Sequence, residues 1–441
     1  MDEGPRTAEA EPVSPGARRR PSSWVSPSRL VLLGIVALYF LVLLALGGHH
    51  AWGRLGVPPS RFTFDDLRSL TSGWECTRRG IDVLPANPCD PRLRPANYPR
   101  IWMALSPLGL GQGSTVALGL LVAAIFLVAA FAVLPSGARP YEAVLFGVAV
   151  CSPAVMLGVE RGNADLLLFA LVALAVLLLR RSARSIASDA LILFAAILKL
   201  FPIFAAGVLL WRRTRSALIG FAAVLIAFAI YALATFGDIR TIYRVTPQSS
   251  TYSFGIRLFS EWLTPGVYSL ARHVGAGSIE RLGLRVWDLG LAALVVGSML
   301  LARRRLRAHL PHDSDPAAER DLDLFVAGAG VYVCSYSLFR SFDYRLAFLL
   351  LTVPQLLRWA RARRAPALVA LVSLYGVLWL DADLTARVPG LGRALRGWDR
   401  LSTVAPFHRP LPPAVVAQLI LLAALVGCLV ATAPTRDAGS T

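Results

Sequence analysis

The sequence predicts an all-α polytopic membrane protein. Hydrophobic residues make up 56% of the 441 and charged residues only 16%, against roughly 25% charged in soluble domains. Mean hydropathy is +0.58. Apolar runs such as "LVLLGIVALYFLVLLALGG" and "ALIGFAAVLIAFAIYALATF" recur along the chain, each long enough for a helix across a hydrocarbon core. The arginines supply the third observation. They cluster between the apolar runs: "RRR" at 18–20, "RRSAR" at 180–184, "RRTR" at 212–215, "RRRLR" at 303–307 and "RARR" at 361–364. That is the positive-inside pattern, so the net charge of +18 points to the lipid bilayer and its anionic headgroups as partner. No nucleic-acid-binding motif is present.

The elements follow in order. Residues 1–27, rich in Pro, Ser, Ala and Arg, read as a disordered cytoplasmic tail. The first apolar run has no small-residue cleavage site after it and is read as a retained span. Residues 28–433 form the transmembrane region, with spans near 29–48, 114–134, 141–158, 165–179, 216–236, 284–302, 321–338, 345–358, 365–380 and 413–433. Residues 434–441 are a second cytoplasmic tail, and the large outer loops are 49–113, 237–283 and 381–412. A single span over 188–211 would put three arginine clusters on the wrong side. Breaking the stretch at "LKLFP", where Pro202 removes a backbone donor and disfavours helix at Phe201, restores the pattern. Two short arms then go in and back. Each is about 12 residues, roughly 18 Å against a core of roughly 30 Å, so the tip lies within the protein. Counting each arm gives about 12 membrane segments, with both termini cytoplasmic.

The tip carries Lys199, the only lysine; the other 44 basic residues are arginine. A lysine at that depth costs roughly 2.5–3.5 kcal/mol on insertion scales and marks a functional site by default. Snorkelling to a headgroup is the bland alternative. A compact ammonium suits a phosphate as a point charge.

Polar residues gather on the same outer side. In the first loop, an amphipathic segment sets Phe62, Phe64, Leu67 and Leu70 on the membrane, with Asp65 and Asp66 near the bilayer surface. The loop ends in "NYPRIW", where Asn97, Tyr98 and Arg100 are candidate substrate contacts. Cys76 and Cys89 are a candidate disulfide on the oxidising side; Cys151, Cys334 and Cys428 fall in spans as packing residues. In "VERGNADLLLF", Asn163 or Asp165 caps the next span, which leaves Glu160 and Arg161 unexplained. In "LFRSFDYRLAF", Arg340, Asp343, Tyr344 and Arg345 fill a turn. An Asp343–Arg345 pair alone would be structural, but arginines placed against the chain's own sidedness point to an anionic ligand such as a lipid phosphate. Arg161, Arg340, Arg345 and Lys199 are thus the candidate phosphate contacts, and Glu160, Asn163, Asp165, Asp343 and Tyr344 candidate substrate contacts. No zinc spacing, phosphate-cradling glycine loop or Ser/His/Asp order is found; no cofactor and no metal site is expected.

These residues resemble the GT-C superfamily of membrane glycosyltransferases. The segments that carry the resemblance are "DLRSLTSGWECTRRG", "NPCDP", "NYPRIW", "ERGNADLLLF", "LKLFPIF" and "FDYRLAF". They look most like the bacterial family that includes polyprenyl-phosphate-mannose-dependent alpha-1,2-mannosyltransferases. The resemblance implies a GT-C-like helical bundle in a bacterial plasma membrane, with a long first outer loop and an extracytoplasmic active site. It implies a polyprenyl-phosphate sugar as donor, a glycolipid or glycan as acceptor, and inversion at the sugar. The general base would be a first-loop aspartate, Asp66 with Asp65 as substitute. Adjacent residues on a helix face different ways, so the pair is not read as a metal site. A lipid or lipid-linked-sugar transporter is the rival reading, since broken helices with buried charge occur there too. No internal repeat supports it.

Overall fold

The computed structural model describes residues 26–179, 185–212, 214–246, 252–256, 297, 315–338, 340–380 and 413–432. The N-terminal tail as far as residue 25, the arginine clusters at 18–20, 180–184 and 303–307, most of the loop 237–283, nearly all of the span 284–302, the loop 381–412 and the C-terminal tail lie outside the described residues.

The described chain is a helical bundle. Its helices are α1 (Pro27–Ala45), α2 (Asp65–Arg78), α3 (Thr115–Val133), α4 (Pro140–Val150), α5 (Pro153–Arg161), α6 (Asp165–Leu179), α7 (Ile186–Leu198), α8 (Gly207–Arg212), α9 (Arg215–Ala234), α10 (Phe236–Val245), α11 (Pro316–Leu338), α12 (Val353–Arg361), α13 (Ala365–Trp379) and α14 (Pro413–Thr432). Short 3-10 helices cover Gly48–Leu55, Arg100–Leu108, Gln112–Ser114, Phe201–Ala206 and Asp343–Leu351. The starts are written locally. Ser26, Ser185 and Thr214 accept hydrogen bonds from the amides of Arg29, Ser188 and Ala217, satisfying first-turn donors. Among the described residues, one strand pairing joins Ser253–Phe254 to Ser341–Phe342, antiparallel.

Among the described residues, four helical segments are long and apolar enough to cross a membrane: α1, α3 with the short turn before it, α9 and α14. The protein is a multi-pass helical membrane protein. The span expected at 141–158 is instead the pair α4 and α5, bent by 54°. Pro153 has no N–H to continue the ladder, and the apolar pattern runs unbroken across the bend, which is why periodicity alone hides it.

The stretch 186–212 folds back on itself beside α6. At its middle, Lys199 Nζ lies 2.6 Å from Asp165 Oδ1, at the start of α6. At its end, Arg212 Nη1 donates to the carbonyl of Leu179, the last residue of α6, at 3.1 Å. The chain therefore reaches one end of α6 at residue 199 and is back at the other by residue 212. Helix α7 stops at Leu198 because Lys199 takes an extended backbone (φ −163°, ψ 126°), and Pro202 sits in the first turn of the 3-10 helix that follows.

Edge-to-face aromatic pairs run through the core: Phe126 on Phe169 at 5.2 Å, Phe169 on Phe348 at 6.0 Å, and Phe348 on Phe201 at 5.3 Å. They join α3, α6, the 3-10 helix 343–351 and the hairpin. In a bilayer such packing replaces lipid contact, so its contribution is shape complementarity rather than removal from water.

Candidate active site

Three segments meet at the Asp165 end of α6. The first is the turn from α5 to α6. Gly162 takes φ +60° as the left-handed cap, with the amide of Asn163 bonding the Gly158 carbonyl at 2.9 Å and that of Gly162 bonding Val159 at 3.1 Å. This turn aims the Asn163 amide both ways. Its Oδ1 accepts from the backbone N–H of Asp165 at 2.9 Å, holding the first turn of α6. Its Nδ2 donates to Asp66 Oδ2 at 2.6 Å.

The second segment is the hairpin tip. Asp165 is fully buried and lies between two cations, Lys199 at 2.6 Å and Arg345 Nε at 3.4 Å. The Lys199 ammonium sits over the rings of Tyr98 at 5.2 Å and Tyr344 at 5.6 Å. Arg345 lies over the Phe201 ring at 3.9 Å and donates from Nη1 to Ser341 Oγ at 2.8 Å. Trp102 Nε1 donates to the Leu198 carbonyl at 2.9 Å, which fixes the tip to the 3-10 helix 100–108.

The third segment is the start of α2. Asp65 and Asp66 are neighbours with opposite surroundings. Asp65 is 1% exposed and enclosed: Arg92 at 3.1 Å, Arg94 at 3.0 Å, Arg161 at 3.5 Å and the Ser60 hydroxyl at 2.6 Å all face it. Asp66 is half-buried and bonds Asn163. Burial pushes its carboxyl above the usual carboxylate range, and the neighbouring Asp65 charge adds to the rise; Arg161, the Asn163 bond and Arg94 oppose it. The Asp66 charge also acts on Lys199 and Tyr344. Tyr98 is pushed well above its ordinary value by burial, then by Asp66 and Asp165, so its phenol stays protonated.

Phe64 precedes the pair in a left-handed conformation (φ 52°). For a bulky residue this costs about 1–3 kcal/mol and needs surrounding support. Gly119 of α3 and Gly162 supply it, since a Cβ on either would lie 2.3 Å and 3.0 Å from Phe64.

The other candidates fall elsewhere. Glu160 accepts from the Ser60 amide at 2.7 Å and pairs with Arg161 at 3.1 Å, so both hold the loop around Asp65. Arg100 bridges Asp82 and Asp238, each at 2.8 Å, on an exposed surface. Asn97 and Arg340 are half-buried, and the Asp343 amide bonds the Tyr252 carbonyl at 2.9 Å. Cys76 and Cys89 are bonded, tying the end of α2 to the loop that carries Arg92 and Arg94. Phe64, Leu67 and Leu70 do not lie on a membrane surface; they are buried in the core. Apolar periodicity is the same for a helix facing lipid and one facing protein. Among the described residues no group of three or more His, Cys, Asp or Glu is arranged to hold a metal ion.

Arg92, Arg94, Trp102 and Phe201 were not among the expected site residues. Trp102 ends "NYPRIW" and Phe201 lies in "LKLFP", both segments marked by the sequence, while the arginines stand in "CDPRLRP", away from the inter-span clusters.

The arrangement offers a carboxylate of raised basicity on one side and two cations about one buried carboxylate on the other. The model of the family described as Glycosyltransferase family 87 matches residues 99–319, half of the chain, taking in Asn163, Asp165 and Lys199 and leaving Asp66 and Arg345 outside. No curated protein and no solved structure matches the chain. The chain belongs to glycosyltransferase family 87 and is a membrane glycosyltransferase.

Proposed function

We propose that the protein transfers a sugar, mannose or another hexose or pentose, from a polyprenyl-phosphate donor to a lipid-linked or polysaccharide acceptor, with inversion, on the extracytoplasmic face of a bacterial plasma membrane. The carrying observation is that Asn163 joins Asp66 to the start of α6, where Asp165 holds Lys199 and Arg345 and the lysine lies over Tyr98 and Tyr344.

Asp66 is the general base. The acceptor hydroxyl attacks the anomeric carbon and its proton passes to the Asp66 carboxylate. The raised basicity of that group favours the transfer. The bond from the anomeric carbon to the phosphate oxygen breaks, and its electron pair leaves with the phosphate. Lys199 and Arg345 stabilise the added negative charge. Against Asp165 they carry one net positive charge, which suits the single charge of a phosphodiester. Asp165 aims both cations and is not itself a reacting group. Tyr98 and Tyr344 offer aromatic faces and hydroxyls to the sugar. No second carboxylate acid is required, because a phosphate leaves more readily than an alkoxide.

The test is transfer from labelled polyprenyl-phosphate sugars in membranes containing the wild type, Asp66→Asn or Asp65→Asn. Loss of transfer in Asp66→Asn alone supports the reading. Full transfer by Asp66→Asn would sink it.

A further inference from the structure

A cavity of about 950 Å³ lies at the other end of α6, away from Asp66 and Lys199. That is near the top of the range of about 300–1,000 Å³ for small-molecule sites. Its walls are apolar: Ile125, Val128, Ala129 and Ala132 of α3 face Ala170, Ala173, Leu174 and Leu177 of α6. Alanines spaced three apart on both helices leave a slot between them. Val128 and Leu174 are exposed, so the slot is open sideways to the surroundings of the bundle.

Its mouth is charged. Among the described residues, Arg29, Arg320, Arg358 and Arg361 line it against Glu142, Asp315 and Asp321, four guanidinium groups for three carboxylates. Several of these arginines have structural tasks. Arg320 donates to the last carbonyls of α3, at Ala132 and Val133, and Arg29 donates to that of Leu134. Arg361 pairs with Glu142. Arg358 is less committed. It meets Asp321 at 3.1 Å and Asp315 at only 3.8 Å, and its buried Nε has no hydrogen-bond partner among the described residues. A buried guanidinium donor left unpaired calls for an acceptor.

We propose that this cavity binds a membrane phospholipid with an anionic headgroup, one acyl chain lying between α3 and α6 and the phosphate at Arg358. The charge excess at the mouth and the sideways opening of an apolar slot select that occupant over a neutral lipid or a soluble anion. The site stands independently of the sugar-transfer reading.

Purified full-length protein is titrated with phosphatidylglycerol and with diacylglycerol of the same acyl chains, which has no phosphate, and bound lipid is counted by native mass spectrometry. The wild type is expected to hold the anionic lipid at least about tenfold more tightly, as one charge-assisted hydrogen bond provides. Arg358→Gln is expected to lose that preference. Ala129→Trp fills the slot without touching a charge and is expected to lose bound lipid of both kinds. It also covers the case in which Arg358→Gln fails to fold. Equal affinity of the wild type for the two lipids, or a preference that persists in either folded variant, overturns the proposal.

Discussion

Asn163 donates to Asp66 over 2.6 Å while its oxygen accepts from the backbone of Asp165 over 2.9 Å. One amide therefore couples the proposed base to the start of the helix that anchors both cations. Its neighbours divide by environment. Asp66→Asn is expected to lower kcat by about 10²–10⁴-fold with little change in melting temperature. Asp65→Asn removes the anion facing three arginines. It is expected to lower the melting temperature by several degrees while turnover by the folded fraction persists. Transfer rates and thermal unfolding of the two variants separate the roles.

Lys199→Ala is expected to abolish turnover and also to destabilise, because Asp165 is fully buried and keeps, among the described residues, only the Arg345 cation at 3.4 Å. Breaking such a pair costs about 3–5 kcal/mol. Adding Asp165→Asn is expected to return most of the stability and none of the activity. Recovery of transfer in the double variant would show that the lysine acts only through the aspartate. Lys199→Arg tests the point-charge requirement, since a planar fork differs from an ammonium in shape.

The acid limb of kcat/KM is expected above the ordinary carboxylate range, because burial raises the Asp66 carboxyl. The base acts when deprotonated, so activity falls as pH falls through that raised value. Replacing Asn163 by Ala removes a bond that favours the charged form and is expected to move the limb further up. A pH–rate profile for wild type and variant reads both shifts.

Gly119→Ala would set a Cβ 2.3 Å from the Phe64 ring. Phe64 must then move, and Asp65 and Asp66 follow it directly in the chain. A displacement near 1 Å is expected to reduce kcat about 10²-fold. Phe64→Leu in the same chain gives the methyl room and is expected to recover part of the loss, measured by transfer rate against melting temperature.

Cys76→Ser with Cys89→Ser opens a link between positions 13 apart. A loop of that size corresponds to about 3 kcal/mol. The link ties the end of α2 to the loop bearing Arg92 and Arg94, so stability is expected to fall more than kcat. Thermal unfolding with and without reductant checks the wild type in the same way.

The sequence reading reached some of this arrangement and not the rest, for reasons that differ by residue. Lys199 was legible because it is the only lysine and lies where charge is costly. The broken hairpin was legible because Pro202 and the flanking arginines conflict with a single span. Asn163 and Arg345 stood out in short polar turns between apolar runs. The difference between Asp65 and Asp66 was not legible. It depends on where Arg92 and Arg94 arrive, some 30 residues on, and on Arg161 from another helix. Arg100 looked like a site residue by its company in "NYPRIW" but is drawn to Asp82 and Asp238, partners no local pattern reveals. The cavity beside α3 and α6 was illegible for the same reason: alanine spacing reads as packing until a second helix shows the gap.

Helix α6 is a gauge for the end proposed as catalytic. It has 15 residues, about 21 Å from first to last. The folded-back stretch is clasped to it at both extremities, by Lys199 on Asp165 and by Arg212 on the Leu179 carbonyl. Neither arm of that stretch has freedom to settle at another height, because the ruler beside it has only two marks. Four residues inserted within α6 would lengthen it by about 6 Å while keeping every side chain near its original face. One clasp would then have to open. If the clasp at Leu179 held, the ammonium would sit a full turn short of its carboxylate. The depth at which the single lysine lies is thus written in the length of a helix that does not contain it.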